Sequence, residues 1–163
     1  MTAVDPELGI RLSLLDRLTD LRPESRAEGH MSPWEEMREI KAGLCRDLSA
    51  LLNTRRAEAD FDPEFEQATN SILTFGVADF TSLNLKSRIE QDRVRLSIER
   101  AIRQFEPRLT RVAVTVEEAD ALRPVLRFEV SALLRIDPGG QAVLFDATLH
   151  RDSRRIAVTG ADS

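Results

Sequence analysis

The chain has 163 residues, 42% hydrophobic and 31% charged, with a formal net charge of -5. That length carries one domain with a real core, and the apolar share is too high for wholesale disorder. The acidic balance argues against a broad electrostatic grip on nucleic acid or an anionic membrane. No apolar run reaches the ~20 residues of a membrane span, and the acidic start from Met1 to Gly9 lacks the apolar stretch of a signal peptide.

The predicted elements run helices first, strands afterwards. Ser13-Leu14-Leu15-Asp16 has the form of a capping box, and Leu14, Leu15, Leu18 and Leu21 make one apolar stripe of a short amphipathic helix. Arg22 to Met31, with Pro23 and Gly29, reads as a polar linker, so residues 1–31 form an N-terminal segment ahead of one domain over 32–159, with 160–163 as a tail. Ser32, Pro33 and Glu35 then open a helix by cap, first-turn proline and capping box. Trp34, Met37, Lys41, Leu44, Leu48, Leu51 and Leu52 recur at helical steps, Ile40 fills the stripe beside Lys41, and the helix ends near Asn53.

Asp62-Pro63-Glu64 opens a second helix by the same logic, with Phe65, Ala68, Ile72 and Phe75 on its buried side and Gly76 as the left-handed C-terminal residue. Val77 to Lys86 reads as a loop. A further capping box at Ser87-Arg88-Ile89-Glu90 starts a helix that buries Ile89, Val94, Ile98, Ile102 and Phe105 and stops before Pro107.

From Leu109 the period changes to two. Val112, Val114 and Val116 alternate with Arg111, Ala113 and Thr115; Leu126, Phe128, Val130, Ala132, Leu134 and Ile136 face one way along a long strand. Asp137-Pro138-Gly139-Gly140 is a hairpin turn, Val143, Phe145, Ala147 and Leu149 mark the returning strand, and Asp152-Ser153 turns again before Ile156 and Val158 on a short last strand. The expected fold is α+β, with N-terminal helices packed on one face of a three- to four-stranded antiparallel sheet.

No specific catalytic constellation stands out. With 28 acids, some carboxylate pair at glycosidase spacing is unavoidable and carries no information. No serine lies in a Gly-x-Ser-x-Gly elbow, and the glycines form no phosphate loop. His30 and His150 read as exposed histidines, and Cys45, the only cysteine, as a buried inert thiol. No metal site and no cofactor are expected.

One corner is unusual. Glu106-Pro107-Arg108 joins the last helix to the first strand, and residues 106 and 108 project to the same side of an extended segment. A plain turn with two solvated charges is the simpler reading of the residues alone; a rigid charged pair that docks a partner is the other. On either, truncating the pair costs the isolated fold little; the alternative is that Arg108 folds back onto a carboxylate of this domain and braces the turn, in which case the loss of stability is large.

This Glu106-Pro107-Arg108 corner, preceded by Ala101-Ile102 and Phe105, resembles the EPR motif of the phage baseplate wedge family, in the branch of TssE subunits that serve bacterial type VI secretion. Ser13 to Leu18, Arg46-Asp47-Leu48, Leu51-Leu52-Asn53-Thr54-Arg55, and Ser71 to Gly76 with Asp79 resemble further motifs of that family, in order and spacing. The sequence departs from the family pattern at Thr74-Phe75 and Ala78. The resemblance implies a structural, cytoplasmic part of a baseplate assembled near the inner membrane. It would join a wedge with TssF, TssG and TssK and help start polymerisation of the TssB–TssC sheath, with no nucleic-acid partner and no membrane insertion. Partner contacts are then expected at Glu106, Pro107 and Arg108, at Leu14, Leu15 and Leu18, and at Ile156 and Val158 on a strand edge. Two other readings are a peptidoglycan hydrolase, after the "lysozyme" label some phage-tail relatives carry, and a small regulatory binder of the same fold.

Overall fold

The computed structural model describes residues 32–57, 64–80, 87–117, 125–136, 140–150 and 155–160. Leu14, Leu15 and Leu18, the Asp62-Pro63 helix start and the turns at 137–139 and 152–153 lie outside the described residues. Helix α1 spans Pro33–Asn53, α2 is the short turn Glu66–Thr69, a 3-10 turn covers Ile72–Thr74, and α3 spans Arg88–Phe105. Strands β1 (Leu109–Val116), β2 (Val125–Arg135), β3 (Gly140–His150) and β4 (Arg155–Gly160) follow as an antiparallel sheet in sequential order. β4 therefore runs one residue past the expected domain end.

The start of α1 is the expected capping box. Ser32 N–H donates to Glu35 Oε2 at 2.9 Å, and Glu35 N–H returns a bond to Ser32 Oγ. Met37, Ile40, Leu44, Leu48, Leu51 and Leu52 are buried, each contributing roughly 1.5–3 kcal/mol against exposure. Trp34, in the first turn of the helix, does not join them: it is 84% exposed.

The single second helix is not formed as expected. Hydroxyl side chains compete with the helical ladder here: Ser71 Oγ caps the 3-10 turn by accepting from Leu73 N–H, and Thr74 Oγ1 donates to the carbonyls of Thr69 and Ser71. The buried side breaks up accordingly. Phe65 and Ile72 are exposed, Ala68 is half-buried, and Phe75 alone reaches the core, edge-on to Phe105 at 5.1 Å between centroids. In α3, Val94, Ile98, Ala101 and Ile102 are buried, whereas Ile89 in the first turn is exposed, and Ser87 makes no side-chain cap.

Val77, read as loop, is buried and bridges in parallel to Arg55. Val77 N–H donates to Thr54 C=O and Arg56 N–H to Val77 C=O, both at 2.9 Å. Gly76 makes this approach possible. Its φ is +107°, as expected for a left-handed residue, and a Cβ there would lie 2.3 Å from Thr54 O.

The sheet buries one face. β2 and β3 alternate as read, with Leu126, Phe128, Val130, Ala132 and Leu134 meeting Val143, Phe145, Ala147 and Leu149. β1 carries an unforeseen bulge between Thr110 and Ala113, with Arg111 at φ +51°. Leu109 and Val112 lie three apart, so regular alternation would send them to opposite faces; the extra residue brings both inward. Helix α3 lies over β1 and α1 over β4, closing one core.

Candidate partner interface

The corner after α3 gathers three charged side chains from two parts of the described fold. Arg108 forms a two-pronged fork on Glu106, with Nε to Oε1 at 2.7 Å and Nη2 to Oε2 at 2.5 Å, and Nη2 also reaches Asp47 Oδ2 on α1 at 2.5 Å. Residues 106 and 108 do share a side, but the expected extended segment is absent: Leu109 N–H bonds Glu106 C=O at 3.1 Å, so residues 106–109 form a tight turn that folds Arg108 back onto Glu106. The expectation of solvated charges is also overturned: Glu106 is 5% exposed, the one buried charged residue among the described residues. Arg108 is tied to the domain's own carboxylates. The bond to Glu106 raises its pKa further above the ordinary guanidinium value, burial opposes the rise, and Asp47 adds to it. Pro107 lies exposed on the outside of this clamp. Asp47 was quoted in the sequence only as part of a motif; its pairing spans α1 to the corner and has no local signal.

The two sheet edges are covered by different helices. At β1, Arg103 Nη2 on α3 donates to Val112 C=O at 2.7 Å, and Glu99 Oε2 accepts from Val114 N–H at 3.4 Å. Glu99 is itself held by Arg103 at 2.8 Å and Arg95 at 3.3 Å. Helix α3 therefore covers two outward groups of β1, Val112 C=O and Val114 N–H, with side chains, whereas Val116 faces away from β2 without a described partner.

At β4 the cover comes from the end of α1 and is likewise partial. Asn53, the last residue of α1, donates from Nδ2 to Ile156 C=O at 2.8 Å and accepts from Ile156 N–H at Oδ1 at 2.9 Å. Ile156 thus points both backbone groups away from β3. The residues of an antiparallel strand alternate, so Val158 and Gly160 point theirs outward too, while Arg155, Ala157 and Thr159 face β3. Among the described residues no hydrogen bond reaches the outward groups of Val158 or Gly160. The side chains of Ile156 and Val158, expected at the edge, turn into the core, fully and partly respectively; what the edge presents is their backbone.

Other expected positions fall plainly. His150 is exposed at the end of β3. Cys45 is half-buried against the core and not buried as expected; the burial it has pushes its thiol above the ordinary value, against the pull of Lys41. No cluster of three or more His, Cys, Asp or Glu among the described residues is placed to hold a metal ion, and no described helix is long and apolar enough to cross a membrane.

An open antiparallel sheet backed by two helices, each edge partly covered by helix side chains, defines an α+β domain with an uncompleted strand ladder. The family model for baseplate wedge protein gp25 matches residues 38–139, more than half of the chain, and the chain belongs to that family. Asp47, Asn53 and the Glu106-Pro107-Arg108 corner fall within the match; β4 lies beyond it. A chain of a solved structure, "The baseplate complex from the type VI secretion system", is similar at 17% identity with a TM-score of 0.47, over 78% of this chain and 98% of that one. No curated protein matches the chain by sequence. The role that comes with the family is that of a structural baseplate component.

Proposed function

We propose that this wedge protein serves the baseplate of a type VI secretion machine, joining TssF, TssG and TssK and helping to start the TssB–TssC sheath by accepting a strand at β4. Family membership supports the baseplate, and the motif resemblance from Ser13 to Asp79 supports the type VI branch. The observation that carries the strand-accepting role is the free end of β4, where Val158 and Gly160 face away from β3 and keep outward donors and acceptors that no described residue meets. The chain acts by geometry and not by catalysis, in the cytoplasm on the inner-membrane side of the machine. Leu14, Leu15 and Leu18 dock the N-terminal segment on a wedge partner. The Glu106-Pro107-Arg108 corner contributes the exposed Pro107 and the outer part of Arg108.

Val158→Pro tests the role of the edge. The substitution removes an outward N–H and leaves the β3 ladder intact, so the domain folds and the wedge forms. Fluorescent sheaths in cells should then be lost. Normal sheath numbers with the substitution in place would remove β4 as the template. Cell-wall clearing by the purified chain, abolished by one Asp or Glu substitution that spares the fold, would overturn the non-catalytic reading.

A further inference from the structure

The strand-accepting edge is not uniformly open. Ile156 is the first of its outward-facing residues, and its N–H and C=O are both taken by the Asn53 carboxamide at 2.9 and 2.8 Å. A carboxamide offers the same donor and acceptor as a peptide unit, so Asn53 stands where the first residue of a fifth strand would stand.

The amide is also locked. Its Nδ2 donates at the same time to Ser49 C=O at 2.7 Å, which fixes which end of the carboxamide faces which Ile156 group. The end of α1 is fixed in turn: Thr54 N–H bonds Leu51 C=O, Thr54 Oγ1 bonds Ala50 C=O, and Thr54 C=O takes Val77 N–H across the Gly76 approach. Asn53 is thus presented to β4 by a framed helix terminus and not by a loose side chain.

We infer that Asn53 is a register stop on the β4 edge: it satisfies Ile156 in place of a partner, so an incoming strand pairs from Val158 onward. The inference rests on the strand-accepting reading above. An edge without a fixed origin lets a strand slip along it, and each one-residue slip exchanges the faces of the incoming side chains. Blocking one residue at the N-terminal end of β4 removes the registers that would use Ile156. It also shortens the bare edge that a second copy of the chain could join.

The experiment is residue-resolved amide hydrogen exchange on the full chain, wild type and Asn53→Ala, alone and with the purified TssB–TssC heterodimer as probe. Rates are read relative to Val130 in the central strand β2, so that a general loss of stability cancels. Free wild type should exchange Ile156 slowly and Val158 fast. Asn53→Ala should speed Ile156 relative to Val130 on the order of tenfold, the loss of about one net hydrogen bond. With the probe, wild type should gain protection at Val158 and Gly160 and no further protection at Ile156, whereas Asn53→Ala should gain it at Ile156 as well. An Ile156 amide as fast as Val158 in free wild type, or unmoved by Asn53→Ala, overturns the stop itself. A slow Ile156 that Asn53→Ala releases, with no β4 amide protected by the probe in either protein, overturns the strand-accepting reading, and the register role falls with it while the clasp stands.

Discussion

Arg108→Ala is the perturbation with the largest expected consequence for the free domain. Glu106 is 5% exposed and takes both prongs of the guanidinium, keeping only the long 3.3 Å backbone bond from residue 108 after truncation. Removing one partner of a fully buried pair costs about 3–5 kcal/mol, because the survivor is a charge without solvent or counterion. Here the Arg108 and Asp47 side chains are 22% and 30% exposed, so water recovers part of the loss, and about 2–4 kcal/mol is expected. Asp47→Ala should cost less, about 1 kcal/mol, since the fork on Glu106 remains. Urea denaturation of the full chain measures both, and the double variant gives the coupling; residues in one network should depart from additivity by about 0.5 kcal/mol or more. If Arg108→Ala cost less than about 0.5 kcal/mol while the fold stayed intact, the clamp would be an ornament of the structure, and its charges would be as free for a partner as the bare sequence suggests.

Three further outcomes are expected. Leu48→Ala should destabilise the fold by about 2–5 kcal/mol in chemical denaturation, since Leu48 is 1% exposed at the centre of the α1 face. Gly76→Ala should cost about 1–3 kcal/mol or more, from a left-handed backbone and a Cβ that meets Thr54 O; a thermal midpoint equal to wild type would contradict the bridge. Deleting residues 1–22 should leave the circular dichroism and melting of the domain intact and lower co-purification with TssF and TssG; undiminished yield would remove the docking role of Leu14, Leu15 and Leu18.

What the sequence disclosed follows from how local each signal is. The α1 start is written in four adjacent residues, and β2 and β3 in an unbroken period of two, so both were legible. The stretch from Phe65 to Phe75 has helical spacing as well, but Ser71 and Thr74 hold hydroxyls that bind the backbone, and these outweigh a periodicity with no large surface to bury against. The bulge left a trace: Leu109 is out of step with Val112 and Val114, a parity break that an alternating reading passes over. The corner was visible as a motif, yet its meaning depends on Asp47, 61 positions away. Asn53 gave no sign of its bond to Ile156, since a helix-terminal asparagine is ordinary and its partner lies 103 positions on.

The sequential order of the sheet sets a timetable for a chain that folds as it is made. β1 to β4 pair only with neighbours in the sequence, and α3 packs beside β1, so this half assembles through short closures as synthesis advances. Helix α1 is made before all of it, yet the strand it covers, β4, is made after all of it. At roughly 5–20 residues per second, the leucine face of α1 waits several seconds for its seat. That interval, and not the finished edge, is when the chain is most open to wrong partners, and a helper that holds α1 until Ile156 has emerged would raise the yield of folded protein without touching its final stability.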